Sequence, residues 1–255
     1  MLSLINANKK SQISANINIC KIRFMIMKYG KFIVIDGVDG SGKATQAQLL
    51  VERLAGSGYK VKKIDFPQYE TNFFGQLVGR YLAGEFGSSS EVSPYLASVL
   101  YAADRFESSN QIKQWLDQGN IVIADRYASA NQIHQGGKIE NLKKRKFFLD
   151  WLEKMEFGIF KIPRPQAIIY LDIPLKFSVE LLKNKTAKSR KKYLKNKKDI
   201  HESDPLHLIN AKKSAVNLIK KNNNWIRIDC VRDGELLSRE KINDIVWEAA
   251  KNILR

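Results

Sequence analysis

Residues Gly37 to Thr45 read GVDGSGKAT, a spacing that points to phosphate chemistry. Glycines at Gly37, Gly40 and Gly42 let a backbone curl until its N–H groups converge, and a following helix adds the unpaired donors of its first turn. Lys43 adds a positive charge at the β- and γ-phosphates of a nucleoside triphosphate; Asp39, Ser41, Ala44 and Thr45 complete the loop and the helix start. ATP is the expected ligand. One position departs from the pattern, since the residue after the lysine, usually a Ser or Thr on Mg²⁺, is Ala44. A second constellation is Asp125-Arg126, where Asp125 closes the apolar run IVIAD as an acid able to hold Mg²⁺ or its water. Arg126 offers a planar fork for phosphate that stays charged at any working pH.

Elements must hold these residues. Apolar, β-branched runs recur at Phe32–Ile35, Val61–Ile64, Ile121–Ala124, Ala167–Leu171 and Trp225–Ile228, with helix-length segments between them. That alternation predicts an α/β fold, a five-stranded parallel sheet with helices on both faces. Each run is followed by an aspartate: Asp36, Asp65, Asp125, Asp172 and Asp229. Ligands of open α/β sheets bind beyond the carboxyl ends of the strands, so these acids outline a site; Asp172 and Asp229 read more simply as turn or cap residues. Helices are expected at Lys43–Ala55, Pro94–Leu116, Phe147–Phe157, Phe177–Leu182, Pro205–Lys220 and Glu235–Ile253. The stretch Lys183–Lys198 is dominated by Lys, Arg, Asn and Ser, with Tyr193 and Leu194 as its only large apolar residues, and cannot bury itself, which suits a lid at about 183–199 ordered by ligand. Residues 1–27 read as a disordered extension or upstream start, with one folded domain over 28–255.

A hydrophobic content of 44% and a charged content of 27% are those of an ordinary globular protein, and no apolar run approaches the roughly 20 residues of a membrane span. Cys20 and Cys230 are far apart and have no CxxC spacing, so neither a disulfide framework nor a zinc site is suggested; a cytoplasmic location fits. The net charge of +17 favours polyanions, but much of it falls in 183–199 and around Lys143–Lys146, and nucleic acid is not the expected partner.

From Lys31 to Arg255 the sequence resembles the thymidylate kinases, P-loop nucleoside monophosphate kinases. The resemblance rests on the P-loop with acidic Asp39, on FPQY (Phe66 to Tyr69), on LYAADR (Leu100 to Arg105) and on DRYASANQIHQGG (Asp125 to Gly137). It implies transfer of the ATP γ-phosphoryl group to dTMP with Mg²⁺, no membrane association and a homodimer. It also implies that Asp39 meets the deoxyribose 3′-hydroxyl and that Phe66, Pro67 and Tyr69 border the monophosphate pocket. Tyr101 would stack on thymine, Arg105 reach the base, Arg126 grip the acceptor phosphate, and Asn131, His134 and Gln135 line the nucleoside. Catalysis would fall to Lys43, Arg126, Asp39 and a lid cation, with Arg190 the arginine available, and metal binding to Asp125.

Two other readings stay open. His134 and Ala44 suit a P-loop kinase for another nucleoside monophosphate or a nucleoside, and the charge suits a non-catalytic nucleic-acid-binding P-loop protein. His134 is equally readable as a satisfied polar residue, and His201 and His207 have no assigned part.

Overall fold

The computed structural model describes residues 29–183 and 205–255; the extension 1–27, Arg190 and all of the expected lid except Lys183 lie outside the described residues. Five parallel strands form the sheet: β1 (Phe32–Gly37), β2 (Val61–Asp65), β3 (Ile121–Asp125), β4 (Ala167–Asp172) and β5 (Trp225–Asp229), in the order β2-β3-β1-β4-β5. β1 is buried along its whole length, as expected of a central strand covered on both faces. Its alternate residues feed two cores. Phe32 and Val34 pack with Ile112, Leu116, Ile133 and Ala215, while Ile33 and Ile35 pack with Leu50, Leu54, Ile242 and Val246.

The helices are α1 (Lys43–Gly56), α2 (Phe73–Leu82), α3 (Pro94–Asp117), α4 (Ala128–Ala130), α5 (Leu142–Glu153), α6 (Leu175–Lys183), α7 (Pro205–Lys221) and α8 (Arg239–Leu254). α4 continues into a π-helical turn, Asn131–Gln135, and α5 into another, Lys154–Ile159. α1 and α8 cover the second core and α3 and α7 the first.

Glu235 and Leu236 begin no helix, contrary to the sequence reading. They form β7, which pairs antiparallel with β6 (Val231–Arg232) across Asp233 and Gly234, both at positive φ. An Asp-Gly pair in that conformation closes a two-residue hairpin, and the helix starts later, where the Ser238 hydroxyl accepts from Lys241 N.

Strand order positions the chemistry. Asp125 lies in register with Ile35 on one side and Asp65 on the other. The segments leaving β2, β3 and β1 therefore emerge side by side, so FPQY, DRY and the phosphate loop share one edge of the sheet.

Candidate functional site

The phosphate loop leaves β1 and ends at α1, with Gly40 at φ +80° and Gly42 at φ +84°, where an L side chain is strained. Gly40 is also crowded: a Cβ there would stand 2.3 Å from Ser178 O and 2.9 Å from Leu182 Cγ of α6. Lys43 is buried and donates from Nζ to Val38 O at 2.7 Å, which folds its side chain back over the loop. Burial, helped by the nearby Arg126 charge, lowers its pKa to about 8, with Asp39, Asp125 and Asp36 opposing. The charge of arriving phosphates would push it up again.

Next to the loop, Arg126 sits at φ 67°, an uncommon backbone state for a residue other than glycine and one that recurs at functional sites. Its amide donates to Ile35 O at 3.0 Å, tying the turn to β1. Its guanidinium ion-pairs with Asp39 through Nη2 and points Nη1 at His134 Nε2, 3.1 Å away. Asp36 lies 3.8 Å from the same guanidinium and is itself fully buried, accepting from Gly37 N and Ser129 Oγ. Burial raises the Asp36 and Asp125 carboxyls, with Arg126 and Lys43 opposing in both cases.

A cleft of about 520 Å³ opens from this point. It is lined by Asp39, Phe66, Pro67, Tyr69, Tyr101, Arg105, Arg126, Asn131, His134 and Gln135, together with Leu82, Tyr127 and Ala130. The cleft thus brings together every residue that the sequence assigned to an acceptor pocket. Both amide atoms of Gln135 are buried without a hydrogen-bond partner among the described residues, as are Ser41 Oγ and Asp125 Oδ1. Buried polar atoms are nearly always paired, so such a group at a cleft marks a place for a ligand. Arg105 is buried rather than a surface residue, and forms a two-pronged ion pair with Glu156 of the second π-helical turn. Removing one member of such a buried pair costs about 3–5 kcal/mol.

The thymidylate kinase family model matches residues 35–240, a span that includes the loop, the cleft and the sheet. The chain belongs to the thymidylate kinase family. The thymidylate kinase of Plasmodium falciparum is 33% identical over 227 residues, 88% of this chain and 91% of that protein. The human thymidylate kinase is 32% identical over 151 residues, 59% of this chain and 65% of the relative. The Candida albicans thymidylate kinase has the same fold, with a TM-score of 0.66 at 23% identity over 88% of this chain and 92% of that one.

Within this thymidylate kinase fold the remaining strand-end acids divide. Asp172 pairs with Lys212 at 3.0 Å and Arg227 at 2.9 Å, Asp229 pairs with Arg227 at 2.6 Å, and neither lines the cleft. Asp65 is exposed. Ala44 is exposed on the first turn of α1 and brings no oxygen to the site, while Thr45 is half-buried beside it. Sequence reasoning missed Glu156 and His207, which stand behind the cleft wall, and the aromatic Tyr127, whose ring meets Phe32 at 4.8 Å and Phe66 at 5.5 Å. Tyr127 stood inside the DRY motif, but neither Glu156 nor His207 had a local signal. Among the described residues no helix is long and apolar enough to cross a membrane.

Proposed function

We propose that this chain transfers the γ-phosphoryl group of ATP to dTMP, giving dTDP and ADP. One observation carries the reading: the acceptor cleft meets the phosphate loop at Asp39, which Arg126 binds, so donor and acceptor phosphates would face each other across a single arginine. The loop amides and Lys43 would hold the ATP phosphates, and Arg126 the acceptor phosphate. An oxygen of the dTMP phosphate attacks the γ-phosphorus as the bond to the β,γ-bridging oxygen breaks, and ADP leaves. No covalent enzyme intermediate is needed; alignment and positive charge do the work. Tyr101 would stack on the base, Arg105, Asn131 and Gln135 address its edge and the sugar, and Asp39 accept from the 3′-hydroxyl.

Asp125 Oδ1, buried and without a partner among the described residues, fits a Mg²⁺ site directly or through a water. Bound Mg²⁺ would neutralise charge on the β- and γ-phosphates. Arg190 and the lysines beside it belong to this reading through the sequence alone.

A homodimer is part of the same proposal. Leu96, Val99 and Phe106 of α3, with Phe73 of α2, are exposed large apolar residues, and their helical spacing puts the α3 residues on one face suited to a second copy.

The test is ADP release from ATP and Mg²⁺ with dTMP, dUMP, dCMP, UMP and AMP in turn. dTMP should be the best acceptor by at least about tenfold in kcat/KM. Equal rates with AMP or UMP overturn the reading.

A further inference from the structure

Glu156 is 1% exposed and is not part of the cleft surface, yet it holds two residues that are. Its Oε2 accepts from Arg105 Nε at 2.7 Å, and its Oε1 accepts from Arg105 Nη2 at 2.7 Å and from Asn131 Nδ2 at 3.0 Å. Asn131 Nδ2 donates also to Ser98 O, at 3.2 Å. One carboxylate from the π-helical turn after α5 therefore ties the α3 wall of the cleft to the wall that follows β3.

The chemistry of these partners leaves one arrangement. An ionised carboxylate and a backbone carbonyl only accept, so the Asn131 amide must turn its NH₂ toward Glu156 and Ser98. Its carbonyl oxygen is then the hydrogen-bonding atom left for the cleft. The Arg105 fork gives its Nε–Nη2 edge to Glu156, which leaves Nη1, on a residue that lines the cleft, as the nitrogen not engaged by that carboxylate and able to donate to a ligand. The wall thus presents a donor from Arg105 and an acceptor from Asn131.

We propose that Glu156 is a positioning residue for base choice, fixing the Asn131 amide and the Arg105 fork so that the cleft accepts a 4-oxo pyrimidine edge. Thymine and uracil offer an oxygen acceptor at C4 beside an N3–H donor. Cytosine offers the reverse, an amino donor beside a bare N3 acceptor, and would face donor against donor and acceptor against acceptor. The inference rests on the reading of this cleft as the acceptor's base pocket. It predicts no discrimination between dTMP and dUMP from these two residues, since their edges are identical.

Glu156→Gln tests it. The amide can no longer accept from Arg105 and Asn131 together on both atoms, so the Asn131 orientation loosens. The expected result is a fall in the dTMP/dCMP ratio of kcat/KM on the order of tenfold, through a higher KM for dTMP with kcat changed much less. Glu156→Asp keeps the charge with a shorter reach and should recover part of the ratio. A folded Glu156→Gln enzyme with the wild-type ratio means Glu156 is a structural ion-pair partner only. Since Arg105 is buried, either variant could unfold, so a measurement on the wild type accompanies them. dTMP methylated at N3 lacks the donor that Asn131 accepts from and should have a KM on the order of tenfold or more above that of dTMP; equal use of the two overturns the assigned polarity. If the wild type fails to prefer dTMP over dCMP, the base-pocket reading itself falls; if it does prefer dTMP and the variant keeps that preference, only the role of Glu156 falls.

Discussion

His134 Nδ1 lies 3.2 Å from His207 Nε2, with the two rings 17° from parallel and their centroids 5.4 Å apart. Nε2 of the same His134 faces the Arg126 guanidinium at 3.1 Å. Arginine only donates, so that nitrogen must accept, the His134 proton must sit on Nδ1, and His207 Nε2 must accept it. This chain of hydrogen bonds holds the His134 ring neutral and runs from α7 to the arginine assigned to the acceptor phosphate.

A pH dependence of stability follows. Burial lowers the His134 pKa well below its ordinary 6.5, reinforced by Arg126, His207 and Lys43 and opposed by Asp39. Between that lowered value and 6.5 the unfolded chain binds a proton that the folded chain refuses, so stability falls as pH falls through this window. Melting temperature compared at about pH 7.5 and about pH 5 should drop more in the wild type than in His134→Gln, which has no titrating ring there. Parallel drops would show that the folded His134 ring takes up a second proton as readily as the unfolded chain does.

Arg126→Ala should lower kcat/KM by a factor on the order of a hundred or more, because in the proposed reading the acceptor phosphate loses its charged fork. Arg126→Lys keeps the charge without the fork and should recover only part. Steady-state kinetics in dTMP would check both, and a near-normal rate for the alanine variant would remove Arg126 from the acceptor site. Melting curves run beside the assay separate folding from function. The left-handed backbone at this residue disfavours alanine no less than arginine, but the alanine variant also leaves Asp39 and the buried Asp36 without their counter-charge, so a loss of stability should accompany the kinetic effect.

Gly40 offers a test of how closely α6 sits on the phosphate loop. Gly40→Ala places a Cβ against Ser178 O in a backbone conformation that already disfavours it, so α6 or the loop must shift. The expected outcome is a loss of about 1–3 kcal/mol in stability and a raised KM for ATP, by denaturant melts and kinetics. An unchanged KM for ATP would mean that the loop tolerates displacement of α6.

How far the sequence disclosed this molecule depended on the distance between partners. The five strands, four closing at their aspartate and β1 one residue after Asp36, were legible because β-branched runs and turn residues are local signals, and the loop and DRY were legible because each motif is continuous. α2 went unread because Gly75 and Gly79 weaken its helical pattern; Gly75 is needed, since a Cβ there would lie 2.0 Å from Gln68 O. The Asp233-Gly234 turn was a local signal overlooked in favour of a longer helix. Glu156 is 51 residues from Arg105 and His207 is 73 from His134, and neither spacing has any periodicity to betray it. The residues proposed to touch a ligand sit in motifs, whereas those that hold them from behind are brought in by packing.

The last prediction concerns Mg²⁺, where Ala44 breaks the P-loop pattern. Losing the hydroxyl at this position removes one direct oxygen ligand, but Mg²⁺ commonly keeps several waters, and another water can take that place. Thr45 is a poor substitute, since one residue along a helix turns the side chain by about 100°. The acid within reach is then Asp125, whose Oδ1 is buried without a partner among the described residues and whose carboxyl is raised by burial, with Lys43 and Arg126 opposing. A buried carboxylate of this kind has little water of its own to lose, so a cation placed beside it relieves an unfavourable charge as well as gaining a ligand. Asp125→Asn keeps the shape and removes the charge. It should raise the Mg²⁺ concentration for half-maximal rate by about tenfold or more, whereas Ala44→Ser should lower that concentration or leave it unchanged. Titration of initial rate against Mg²⁺ at saturating ATP and dTMP decides the matter. An unchanged Mg²⁺ requirement in Asp125→Asn would remove this acid from the metal site, and a wild type inactive at every Mg²⁺ concentration but active as Ala44→Ser would mark a chain whose catalysis has lapsed through that one residue.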